Sequence, residues 1–236
     1  MGSMAEWLVK LRGEEDDLEL LKDHLCSPSI TPTVSVTKKE NDYYLSSDKL
    51  ASITDRDLVR ERAEELVDHL NKVATLLLGT GYSLVEEDGI FALDEGHLSR
   101  VSKSVLVTWS VRVELKHTTP EDIEKTMKLV SRDLRFEEAL YFLMKSNWIN
   151  LYKAWEIAGD VAGGGGGKQL IKNGWADKEE QGRFTGTAQS KGELGEEARH
   201  ASEEYKSPKN PMPLSEAQDF VRSVILAWAD SADSIG

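Results

Sequence analysis

The chain has 236 residues, a formal net charge of −13 and a pI near 4.9, with 39% hydrophobic and 30% charged residues. Those values describe a folded, well-solvated protein with enough chain to bury a core without staples. The single cysteine, Cys26, excludes an internal disulfide and any CxxC metal or redox pair. Basic residues reach no denser cluster than Lys38-Lys39, so general affinity for nucleic-acid backbones is not expected, nor is attachment to anionic membrane.

Met1-Gly2-Ser3 ahead of Met4 reads as a leftover of expression, and Met1–Glu19 has no basic start followed by an apolar run. The expected location is the cytoplasm. Trp7, Val9 and Leu11 recur at every second position, the period of a half-buried strand. The acids Glu14–Asp17 then lead into Leu18, Leu21 and Leu25, spaced for a short helix whose first turn suits the helix dipole. Val34–Val36 and Tyr43–Leu45 predict a hairpin across Lys38–Asp42.

From Asp55 to Leu78 the apolar positions Val59, Ala63, Leu66, Leu70, Val73 and Leu77 predict a long helix, with Thr54 and Asp57 as capping pair and Gly79 as stop. Tyr82–Val85 and Ile90–Leu93 predict a second hairpin through Glu86-Glu87-Asp88-Gly89. Val105, Val107, Trp109, Val111, Val113 and Leu115 share one face of a long strand.

Thr119-Pro120-Glu121-Asp122 marks a helix start and a change of character. Helices are expected over about Pro120–Arg132 and Phe136–Gly159, with a short one near Glu193–Tyr205 and a last one opening at Ser215. Between them, residues 159–195 hold 11 of the 18 glycines and read as a flexible loop in which only Trp175 and Phe184 could pin the chain to its body. The expected class is α+β. A mixed α/β region at 4–118 with an antiparallel-rich sheet precedes an all-helical module at 119–236.

Four patterns invite chemistry. Gly163–Gly167-Lys168 fails the phosphate-loop pattern, because Ala162 stands at the first required glycine and Gln169 follows the lysine. Glu197-x-x-His200 has the spacing by which one helix offers two ligands to a di-metal centre, yet such a centre also needs a second helical pair and a glutamate from each of two further helices, and the other histidines all lie in the first half, so no metal and no cofactor is expected. Phe136, Tyr141, Phe142, Trp148, Tyr152 and Trp155 form an aromatic stripe that core packing explains well. If part of it stays exposed, Tyr141, Trp148 and Tyr152 are the candidate protein-binding residues, joined by Arg199 and His200.

Arg199-His200 is also the candidate pair for metal-independent RNA cleavage, with His moving protons and Arg stabilising the phosphorane. Arg62-x6-His69 resembles the HEPN ribonuclease motif, which implies the same chemistry; the resemblance covers eight residues, and HEPN domains are all-helical. Ala198-Arg199-His200-Ala201, then Pro208 to Ala217 and Trp228, resemble the tail of a group of bacterial proteins. That resemblance implies a shared helical module over roughly the last ninety residues and transfers no catalytic residue. The reading that results is a bacterial cytosolic interaction or regulatory protein with a protein partner, and RNA cleavage is its alternative.

Overall fold

The computed structural model describes residues 6–25, 34–79, 82–94, 97–101, 120–165, 167–194, 198 and 208–232. The strand expected over 105–115 and most of the short helix expected near 193–205 lie outside these residues. Contacts divide the chain into two compact units, Met1–Lys128 and Leu129–Gly236.

In the first unit the elements run β1 (Glu6–Arg12), α1 (Glu15–Leu25), β2 (Val34–Lys39), β3 (Asp42–Ser47), α2 (Asp48–Ala51), α3 (Arg56–Leu78), β4 (Glu86–Asp94) and β5 (His97–Arg100). The five strands among the described residues form one antiparallel sheet in the order β2-β3-β1-β4-β5. Trp7 and Val9 are buried, as their alternation predicts, but Leu8 between them is buried too, so β1 is covered on both faces at this point. The indole N–H of Trp7 donates to the Ile53 carbonyl at 2.7 Å and ties the central strand to the segment before α3.

The second expected hairpin is absent. Glu86 to Asp94 is one strand, and the four residues expected to turn instead lie within it. Val9 faces Ile90 and Leu11 faces Glu87, so β4 spends one extra residue there, a bulge that Gly89 accommodates at φ 120. Tyr82–Val85 belongs to no strand. Asn71 of α3 holds it: its amide donates to the Val85 carbonyl at 2.8 Å and accepts from Val85 N and the Tyr82 hydroxyl, both at 2.9 Å. Asp55, not Thr54, caps α3, accepting from Asp57 N at 2.9 Å.

The helix α4 (Pro120–Arg132) carries the boundary between the units. The second unit continues with α5 (Leu134–Lys145), α6 (Trp148–Val161), α7 (Lys168–Lys172), α8 (Lys178–Gln189), α9 (Lys191–Leu194) and α10 (Leu214–Ala232). The helix expected over Phe136–Gly159 breaks in two. Ser146 takes a left-handed conformation at φ 51, and Asn147 caps the next helix by accepting from Asn150 N at 3.0 Å. A two-residue joint makes α5 and α6 antiparallel neighbours, and Arg135 near the start of one pairs with Asp160 near the end of the other at 3.2 Å.

The stretch expected to be a flexible loop is another correction. It contains α7 and α8, and Phe184 of α8 is fully buried at the centre of the unit. The rings of Trp148, Tyr152, Trp155 and Phe220 surround Phe184 with centroids 5.1–6.1 Å away. Arg183 then locks α8 to α10 with a two-pronged pair to Glu216, at 2.5 and 2.9 Å. The carboxyl of Glu216 is held below its ordinary pKa by that bond.

Candidate functional site

An amphipathic helix in a small bundle turns one stripe inward, and the opposite stripe is ordinarily polar. In α5 the inward stripe is Phe136, Ala139, Leu140 and Leu143. The outward positions 134, 138, 141 and 145 repeat at helical spacing, and two of them depart from the polar rule. Leu134 is 81% exposed and Tyr141 41%. Across the joint, Ile149 of α6 is 46% exposed. An aliphatic residue therefore stands on each helix, and the aromatic pair Tyr141–Phe142 lies in α5, its rings 5.5 Å apart and inclined at 67° in an edge-to-face contact.

Two lysines frame that pair. The Lys145 ammonium sits 5.1 Å from the centre of the Tyr141 ring, and the Lys153 ammonium of α6 sits 5.0 Å from the centre of Phe142. Both lie within the range of cation–π attraction. Neither ammonium has a carboxylate partner among the described residues, whereas Arg135 and Asp160, farther along the same pair of helices, neutralise each other.

Of the described residues expected to bind a partner, Tyr141 lies on this face and Trp148 and Tyr152 do not. Trp148 and Tyr152 are 4% and 5% exposed and stack on Phe184; Gln189 donates to the Tyr152 hydroxyl at 3.2 Å. Their role is packing, because the face of α6 that carries them is the one α8 covers. Glu197, Arg199 and His200 lie outside the described residues. Arg62 and His69 both lie on α3 of the first unit, and Arg62 pairs with Glu65 one turn away, which raises its pKa.

The glycine run serves turn chemistry. Gly163 and Gly164 donate to the carbonyls of Asp160 and Gly159 at 3.1 and 2.9 Å, closing the end of α6. Gly163, Gly164, Gly165 and Gly167 all have positive φ. Gly167 is buried against Trp155 and Gln181, whose indole N–H and amide oxygen have no hydrogen-bond partner among the described residues.

Two clefts are lined by polar side chains among the described residues. One of about 890 Å³ in the second unit is lined by Arg132, Asp133, Asn173, Trp175, Trp228 and Ser231. Its short polar side chains are engaged locally: Asp133 caps α5, Asn173 donates to the Ala162 carbonyl and Ser231 to the Trp228 carbonyl. One of about 400 Å³ in the first unit holds Lys10 between Asp42 at 2.8 Å and Asp88 at 3.6 Å. The hydrogen bond to Asp42 raises the Lys10 pKa above its ordinary value against the opposing effect of burial. Neither lining brings a nucleophile and a base together.

Among the described residues no group of three or more His, Cys, Asp or Glu side chains is placed to hold a metal, and no helix is long and apolar enough to cross a membrane. The sequence reading missed Leu134, Lys145, Ile149 and Lys153. The seven-residue step from Leu134 to Tyr141, opposite the inward stripe, was the signal that could have found the first. Compared with family models, curated proteins and solved structures, the chain matches none.

Proposed function

We propose that this is a bacterial cytosolic interaction or regulatory protein whose α5–α6 face receives a protein partner. The observation that carries the reading is Leu134, a large aliphatic side chain 81% exposed on the same stripe as Tyr141. Exposed apolar groups clustered with tyrosine and phenylalanine are what interface centres contain, while isolated ones are ordinary surface. Tyr141 supports the reading further, since its ring offers area and its hydroxyl a hydrogen bond at low entropic cost.

The test places a photo-crosslinking amino acid at position 141 of the full chain and recovers crosslinked protein from bacterial cells. One partner should be captured reproducibly, and Leu134→Asp should abolish capture without changing the thermal midpoint. Capture that ignores Leu134→Asp would count against this face. Metal-independent RNA cleavage by the wild-type chain, lost in Arg199→Ala/His200→Ala, would replace the reading with the enzymatic one.

A further inference from the structure

The geometry points to the chemistry of the partner: an acidic segment with an apolar anchor, seated over Tyr141 and Phe142 between Lys145 and Lys153. The inference rests on the interaction reading and gives it a ligand class. It begins from a contrast in charge. The whole chain carries 42 acidic against 29 basic residues, so its general field repels acidic partners. At the aromatic pair Lys145 and Lys153 each stand by a ring, neither of them paired with a carboxylate among the described residues, and the two outnumber Glu138, the one acid on the outward stripe of α5.

Each lysine is positioned by a ring. With the ammoniums 5.1 and 5.0 Å from the ring centres, the stems cover part of the aromatic surface and keep the charged ends in water. Side chains already held in place lose less rotamer freedom when a carboxylate arrives. The aliphatic contact beside the lysines comes from Ile149 at the start of α6, and Leu134, at the opposite end of the antiparallel pair, extends the exposed stripe two turns beyond Tyr141. A complementary segment therefore carries leucine-like or aromatic anchors for the rings and for Ile149, and Glu or Asp residues flanking them for the two lysines. An amphipathic helix with acidic edges satisfies both demands. A basic segment meets two like charges, and a purely apolar one leaves both ammoniums partly desolvated without partners.

The experiment titrates the full-length protein with three labelled probes. They are an amphipathic peptide bearing leucines edged by glutamates, the same peptide with lysine replacing each glutamate, and a single-stranded oligonucleotide of equal net charge to the first. Anisotropy follows binding, and amide chemical shifts locate it. The acidic peptide should bind saturably, weaken as salt rises, and shift resonances of Tyr141, Phe142, Ile149 and Lys153. Lys145→Ala/Lys153→Ala should weaken it about tenfold or more, about 1.4 kcal/mol by the usual conversion. Lys145→Arg/Lys153→Arg should restore most of the affinity. The inference is overturned by equal or tighter binding of the lysine peptide, by tighter binding of the oligonucleotide, by no saturation at millimolar peptide, or by a double alanine variant that binds unchanged.

The two readings separate in the crosslinking assay. Capture lost in Leu134→Asp but normal in the double alanine variant keeps the interaction and removes its acidic chemistry. Capture that survives Leu134→Asp removes the interaction reading itself.

Discussion

Adding one methyl group at Gly167 probes how the glycine-rich turn is built into the second unit. Its backbone is left-handed, at φ 86 and ψ −6, where an L side chain costs about 1–2 kcal/mol. A Cβ there would overlap Trp155 Cζ2 and stand 2.8 Å from Gln181 Nε2. Both side chains are buried, so neither can swing into solvent, and overpacking of this kind costs about 1–3 kcal/mol. Gly167→Ala should therefore lose about 2–5 kcal/mol. Gly164→Ala is the control, because its φ of 77 imposes the same backbone strain while nothing lies within 4 Å of the new methyl. Its loss should stop at about 1–2 kcal/mol. The difference between the variants corresponds to about 2–12 °C in midpoint for a chain of this size. Thermal unfolding followed by tryptophan fluorescence suits the measurement, since Trp148, Trp155, Trp175 and Trp228 all lie in the second unit. Equal midpoints for the two variants would refute the packing argument and leave only backbone strain.

Other expectations follow from the two cores. Phe184→Ala should lose about 3–5 kcal/mol in chemical denaturation, the usual loss for a buried ring, and a loss under about 1 kcal/mol would make α8 peripheral. Asn71→Leu strands the Val85 N–H, the Val85 carbonyl and the Tyr82 hydroxyl, each worth about 1–3 kcal/mol when unpaired, so a urea midpoint near wild type would contradict the hydrogen-bond account. The Glu19 carboxyl is lowered to about 2 by hydrogen bonds from Lys22, Lys38 and Tyr43, in that order. A folded value below the ordinary 4.5 means its contribution is complete above that pH and disappears as pH falls toward 2. The acid decline in stability over that window should be shallower in Glu19→Gln, and identical slopes would show that the carboxylate contributes nothing.

What could be read from the sequence was whatever local pattern decides. The helix α3 announced itself by apolar steps of three and four, the β2–β3 hairpin by its turn residues, and α10 by Val221, Val224 and Trp228. What could not be read was decided by distant partners. Glu86-Glu87-Asp88-Gly89 is a plausible turn in isolation, and only the register against β1 makes it a bulge. Gly182 and Gly186 argue against a helix at α8, and the burial of Phe184 among four rings overrides them. The break at Ser146 has neither glycine nor proline to signal it. The candidate site followed the same rule. Tyr141 was legible as an aromatic residue with a polar tip, but Trp148 and Tyr152 share that description, and the helix that covers them comes from a stretch whose composition hid it.

The position of Phe184 also leads to an expected order of assembly. The joint at Ser146-Asn147 lets α5 and α6 meet without closing a long loop, so their contacts can form early in folding. By contrast, α8 has 12 residues, two of them glycines, and is a marginal helix on its own. It should therefore gain its structure only when Phe184 docks between α6 and α10. Substitutions at Leu140 and Leu151, in the α5–α6 pair, should then slow folding, whereas Phe184→Leu should leave the folding rate nearly unchanged and accelerate unfolding. On this expectation the lifetime of the folded second unit should depend on its last arrival, a single phenylalanine delivered by a helix that is marginal on its own.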